Sequence, residues 1–284
     1  MRETIVVRPE EMGGLNLAET LDCGQAFRWK PVPDEKAEIW EGIAGNHYLR
    51  IRREHNELRF ECSSGDFEGF WKNYFDLNVD YSEKKKQLAL LDPVMRDAIG
   101  YAPGIRLLRQ EPFEVMCSFI LSQNCNIPRI KGMIERLCAL CGESIGQDQS
   151  AFPTPVALAA QGLDGLEPVR AGFRAKYLLS AAEAAVSGRV QLEKIYDMDI
   201  DEGRETLQQI RGIGPKVAEC ILLFGYHKLE AFPMDVWMKR VMEAFYPGKS
   251  PSFFGSEAGL AQQYLFHYAR NRRAIENGKL TIKV

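Results

Sequence analysis

The chain has 284 residues, 45% of them hydrophobic, enough to bury a substantial core and to form two or three subdomains. Thirty-six lysines and arginines against 39 acidic residues leave a net charge of −3, which argues against a broad electrostatic clamp on nucleic acid but not against local grips on a few phosphates. Seven cysteines, an odd number scattered from Cys23 to Cys220, read as reduced thiols rather than a disulfide framework.

Up to about Cys62, short β-rich runs at Ala26–Lys30, Glu38–Ile43, Tyr48–Arg52 and Glu57–Glu61 alternate with turn signals at Gly45-Asn46 and His55-Asn56. This pattern predicts a small antiparallel sheet. From Phe67 onward helical periodicity takes over, in Phe113–Gln123, Ile127–Cys141, Ala175–Val186, Glu202–Ile210, Val217–Tyr226 and Ala258–Arg270. The Pro/Gly punctuation at 151–155, 162–172 and 247–255 is short enough to be loops, and no internal repeat is visible. The expected class is α+β: a sheet subdomain with flanking helices over residues 1–110, then a helical body over 111–284. No apolar run is long enough to cross a membrane, and the start, Met1 to Pro9, has no signal-peptide pattern.

Basic residues gather locally: Arg129, Lys131 and Arg136; Arg170, Arg174 and Lys176; Arg270, Arg272, Arg273 and Lys279. Any one such group is ordinarily a solvated helix face. Cys138 and Cys141 lack partners at zinc-ligand spacing and read as small apolar helix residues, so no metal site is expected.

The most informative segment is Leu207–Cys220, where Gly212-Ile213-Gly214 makes a tight hairpin and Pro215 stands at a helix N1 position. This is a helix-hairpin-helix signature over about 202–226, whose open backbone N–H groups, at Gly212 and Gly214, suit a DNA phosphate. In the helix that follows, Val217, Cys220, Ile221 and Phe224 mark the apolar face, and Lys216 lies just off it. The positive end of the helix dipole and partial burial both favour a neutral, nucleophilic amine there. Asp235 reads as the N-cap of the next helix. Taken alone, Lys216 reads as a phosphate contact and Asp235 as a simple cap.

The pair with its flanks, Gly-x-Gly-x-Lys-x-Ala followed by Pro-x-Asp-Val 19 residues after the lysine, resembles the catalytic core of bifunctional DNA glycosylases. No cysteine follows Cys220, unlike the iron–sulfur members of that superfamily. Five segments narrow the resemblance to the 8-oxoguanine DNA glycosylases: Cys23–Trp29 (CGQAFRW), Ser122–Ile130, Ala171–Tyr177, Phe232–Arg240 and Ala258–Phe266. The resemblance implies a TATA-binding-protein-like sheet followed by a two-part helical body around the hairpin, with a flipped base held between the parts. Local sequence alone would make Gly24 a turn and Phe266 a core residue.

The resemblance further implies that Gly24 recognises the oxidised base. Oxidation at C8 gives guanine an N7–H donor in place of an acceptor, and glycine lets a backbone carbonyl come close to it. It implies that Gln262 reads the Watson–Crick edge, and that Phe266 and Cys220 cover the two faces of the ring. Phe173 is implied as the wedge, and Asn124, Arg129 and Arg174 as the grip on the estranged cytosine. Departures from the family's eukaryotic pattern are Phe173 for tyrosine, Cys125 for asparagine and Trp237 for histidine. An indole N–H at Trp237 can replace the histidine's phosphate contact. Lys216 would attack C1′ and Asp235 would stabilise positive charge on the sugar.

No cofactor is required, although the carbonyls of Arg211–Gly214 suit a structural monovalent cation. The expected partner is duplex DNA containing 8-oxoguanine, bound by a monomer away from any membrane. The compartment would be cytoplasmic, with the nucleoid, in a prokaryote and nuclear in a eukaryote. Two other readings stay open: a glycosylase for alkylated or mismatched bases, and a non-catalytic helix-hairpin-helix DNA-binding protein.

Overall fold

The computed structural model describes residues 3–146 and 148–271, together with the backbone of 275–276 and 279–280. Its first part is a five-stranded antiparallel sheet in the order β1-β5-β4-β3-β2, with β1 at Glu3–Val7, β2 at Trp29–Val32, β3 at Glu38–Ala44, β4 at His47–Glu54 and β5 at Glu57–Cys62. Three strands, β3, β4 and β5, match predicted runs, and β2 overlaps the first run only at Trp29 and Lys30. The fifth, β1, pairs with β5 at the sheet edge and was not expected. Only Val7 of its five residues is buried, so it carries little of the alternation that marks a half-buried strand.

The Ala26–Lys30 run joins the sheet only at Trp29. Phe27 instead turns into the helical core, and Arg28 forms an ion pair with Glu114 at 3.8 Å. One face of the sheet buries Trp29, Trp71, Phe60 and Phe75 in a core of its own.

The longer helices are α1 (Tyr81–Ala89), α2 (Pro93–Tyr101), α3 (Pro112–Ser122), α4 (Ile127–Cys141), α5 (Ala175–Val186), α6 (Ile200–Gln208), α7 (Pro215–Phe224), α8 (Val236–Phe245) and α9 (Ala258–Asn271). All six predicted helices are present, within two residues at every boundary. Packing crosses the expected division near residue 110. Tyr81, Leu88, Met95 and Ile99 of α1 and α2 enter the core of the helical body, with Ile105 and Leu107 behind them.

Two fully buried polar side chains fix the junction. Arg106 donates to the carbonyls of Phe75, Met12, Gly14, Asp76 and Val79 and lies 4.0 Å from the Tyr81 ring centre. Gln25 donates to Thr20 O and Arg106 O, accepts from Leu108 N, and its own carbonyl accepts from Gln110. Buried amides and guanidinium groups are tolerated only when bonded in this way. The result is a rigid seat for the turn that carries Gly24.

Candidate active site

A cleft of about 340 Å³ opens between the Cys23–Trp29 turn, α3, α7, the start of α8, and α9. Lys216, Asp235, Gly24, Cys220, Gln262 and Phe266 all line it, so the fold gathers the expected catalytic and base-pocket residues in one place.

Lys216 is the second residue of α7, after the N-cap Gly214 and Pro215. Its Nζ lies 5.1 Å from the Phe119 ring centre, and no carboxylate among the described residues lies within ion-pair distance of it. One helical turn on, the Cys220 thiol forms part of the wall. Burial pushes it up to about 11, and the neighbouring Lys216 amine acts in the opposite direction. Asp235 is the N-cap of α8, its Oδ1 accepting from Met238 N at 2.8 Å.

Gly24 holds φ at +91°, a left-handed value that L side chains rarely adopt, and a Cβ there would sit 3.5 Å from the Phe266 ring. Gln262 is 4% exposed. Its Nε2 reaches Pro233 O at 3.4 Å, while its Oε1 is buried with no hydrogen-bond partner among the described residues. A buried carbonyl left without a donor costs about 1–3 kcal/mol, so this oxygen calls for a donor from a ligand in the cleft.

Gln263 was not anticipated. It is 2% exposed and donates to Cys23 O at 3.0 Å, tying α9 to the Gly24 turn. The only signal in sequence was a second amide beside Gln262 on an otherwise apolar helix, and Gln25 is likewise legible only as a polar residue in a buried motif.

Around the cleft the remaining residues divide. Asn124, at φ +48°, and Arg129 are exposed, and among the described residues the Arg129 side chain makes no bond, although its backbone N–H donates to Asn126 Oδ1. Phe173 is 48% exposed on a turn before α5. Arg174 departs from the expectation that it grips the partner base directly. It is 3% exposed, and its guanidinium donates to Gln123 O, Asn124 O and Ala171 O, because the loop after α3 turns its carbonyls inward.

Trp237 lines the cleft itself, with the Arg240 guanidinium 5.8 Å from its ring centre. In the hairpin, Gly212 is at φ +95° and a Cβ there would fall 2.3 Å from Tyr177 Cγ, whereas a Cβ on Gly214 would meet nothing. Gly212 O accepts from Gln123 Nε2, and Gly214 O from Ala218 N.

Of the first basic group, Lys131 is bonded to Asp22 and Trp29 O, and Arg136 to Val169 O, so two of the three hold the fold. Arg272, Arg273 and the side chain of Lys279 lie outside the described residues. All seven cysteines are free, and among the described residues no group of three or more His, Cys, Asp or Glu side chains gathers to hold a metal.

Residues 5–116 match the family described as 8-oxoguanine DNA glycosylase, N-terminal domain, and residues 117–252 match the HhH-GPD superfamily of base excision DNA repair proteins. An N-glycosylase/DNA lyase of Saccharomyces cerevisiae is 31% identical, over 82% of this chain and 68% of the yeast protein. Its counterpart in Arabidopsis thaliana is 27% identical, over 89% of this chain and 76% of the other. Among solved structures, the 8-oxoguanine glycosylase/lyase of Clostridium acetobutylicum, in complex with double-stranded DNA containing cytosine opposite 8-oxoguanine, is 36% identical. It superimposes with a TM-score of 0.86, covering 96% of this chain and 98% of that one.

Proposed function

The chain belongs to the 8-oxoguanine DNA glycosylase family of helix-hairpin-helix base excision repair proteins, and we propose how its own residues carry out that family's chemistry. It is a bifunctional enzyme that excises 8-oxoguanine from DNA and then cleaves the strand. The observation that carries the site assignment is the orphaned Oε1 of Gln262, a side chain that lines the same cleft as Lys216 and Asp235. Guanine-type bases offer that oxygen N–H donors along their pairing edge, which reaches it once the base leaves the helix.

In this reading 8-oxoguanine enters the cleft between Phe266 and Cys220, and its N7–H donates to the Gly24 carbonyl. Undamaged guanine brings an acceptor to the same carbonyl, a difference of about 1–3 kcal/mol. The Lys216 lone pair attacks C1′ as the bond to the base breaks, and the base leaves with the bonding electrons and takes up a proton. Opening of the sugar gives an imine. Loss of the C2′ proton then expels the phosphate from C3′, and water releases the lysine. Asp235 stabilises positive charge on the sugar while that bond breaks.

Phe173 fills the space left by the extruded nucleotide. Asn124 and Arg129 face the estranged cytosine, with Arg174 behind their loop, and cytosine is the preferred partner. The open N–H groups at Gly212 and Gly214, with the Trp237 indole, hold the backbone of the lesion strand. Among the hairpin carbonyls of Arg211–Gly214, those of Gly212 and Gly214 keep a second lone pair beside the bond each accepts, which suits a structural monovalent cation with no part in the reaction. The enzyme acts as a monomer. Among the described residues no helix is long and apolar enough to cross a membrane.

Borohydride trapping tests the central step. Wild type should yield a covalent protein–DNA adduct with 8-oxoguanine duplex, and Lys216→Gln none, while the variant still binds the lesion. An undiminished adduct in the variant removes Lys216 from the mechanism. A panel of duplexes bearing alkylated bases, run beside it, would show a preference for them if the alternative specificity held.

A further inference from the structure

The loop Gln123–Asn126 between α3 and α4 is tied to its surroundings in a closed circuit. Asn124 sits at φ +48°, a left-handed conformation that asparagine tolerates better than most residues. From beneath, the buried Arg174 guanidinium takes the carbonyls of Gln123 and Asn124, with its Nε 2.9 Å from Gln123 O. From the side, Gln123 Nε2 donates to Gly212 O at 3.0 Å and to Ile120 O at 3.2 Å. Gly212 packs on Tyr177 too closely for any Cβ, and Tyr177 meets the Phe173 ring edge-on at 6.0 Å. Phe173 in turn lies 4.5 Å from the Arg174 guanidinium. Loop, hairpin and wedge are thus joined pairwise, and the hairpin leads directly into Lys216.

We infer that Gln123 is a positioning residue for opposite-base discrimination, coupling the loop that faces the partner base to the hairpin that presents the nucleophile. This rests on the proposed function and extends it. An amide serving only to cap α3 would need Ile120 O alone. The bond across to Gly212, 89 positions away, is what a local cap does not require. Arg174 acts in the same circuit as a brace, since its donors are already directed at loop carbonyls. A partner base that seats well against Asn124 and Arg129 keeps the loop, and through Gln123 the hairpin, in register with the cleft. One that does not seat shifts both.

Two variants of the full chain test this. Gln123→Ala removes the amide, and Gln123→Glu keeps its size while replacing the donor with an acceptor facing Gly212 O. In single-turnover excision of 8-oxoguanine, the ratio of the rate opposite cytosine to the rate opposite adenine should fall about five-fold in both, the effect of one lost hydrogen bond. The adenine rate should change little. In hydrogen–deuterium exchange of the DNA-free protein, peptides spanning 122–127 and 210–216 should both exchange faster. Faster exchange confined to 122–127, with an unchanged ratio, overturns the inference and leaves Gln123 a helix cap. If wild type itself shows no preference for cytosine, the opposite-base reading fails, and exchange in the 210–216 peptide alone decides whether the coupling exists.

Discussion

Asp235 combines two roles in one carboxylate, and a single substitution separates them. Its Oδ1 caps α8 through Met238 N, and asparagine caps about as well as aspartate. Asp235→Asn should therefore leave thermal stability nearly unchanged and lesion-DNA binding intact, while slowing single-turnover excision by orders of magnitude, because the lost charge acts in the transition state. A near-normal rate would reduce Asp235 to a cap. Arg129 is the complementary case, an exposed side chain with no partner among the described residues. A good bidentate contact to a base is worth about 1–3 kcal/mol of discrimination, so Arg129→Ala should narrow the cytosine-over-adenine excision ratio by roughly one to two orders of magnitude. The loss should come chiefly from the cytosine substrate. An unchanged ratio would make Arg129 a solvated helix residue.

The hairpin illustrates how an element places demands that differ between neighbouring positions. Gly212 and Gly214 look equivalent in sequence, yet Gly212 is left-handed and lies against Tyr177, whereas Gly214 has extended backbone and open space. Gly212→Ala should cost about 1–3 kcal/mol, from positive-φ strain and a contact that cannot relax, and should weaken DNA binding as the hairpin shifts. Gly214→Ala, which meets no steric obstacle but puts a poorer N-cap residue before α7, should cost less than Gly212→Ala, about 1 kcal/mol or under. Thermal melts of the two variants side by side check the ranking. Equal losses would mean that the Tyr177 contact yields readily.

Across the whole molecule, the sheet subdomain and the helical body meet at Arg28 and Glu114. Burial pushes the Glu114 carboxyl up to about 7 from its ordinary value of 4.5, only partly opposed by the Arg28 guanidinium. A carboxyl raised in the folded state binds its proton more tightly there than in the unfolded chain. The associated stability is full below about pH 4.5 and is lost as pH rises through about 7. Glu114→Gln should flatten that part of the stability curve, so the difference in melting temperature between wild type and variant should change in the variant's favour from about pH 5 to about pH 8. A difference that stays constant over the range would mean that Glu114 keeps its charge throughout.

The six long helices, three of the five strands with part of a fourth, and the glycine-turn-lysine hairpin were all legible in the sequence, because periodicity, turn residues and N1 prolines are local properties that each segment carries by itself. The resemblance then supplied Lys216, Asp235, Gly24, Cys220, Gln262 and Phe266 as a set. Only tertiary structure decided that they share one cleft, since they come from segments separated by up to about 240 positions, and spacing along a chain says nothing of such distances. It also decided the strand β1, whose side chains are too exposed to show a pattern, and the burial of Arg174, which looks in sequence like any basic residue beside an aromatic. Gln25, Arg106, Gln123 and Gln263 escaped for the same reason: a polar side chain's role is set by the carbonyl it meets across the fold, and the identity of that carbonyl is fixed only when the chain is packed.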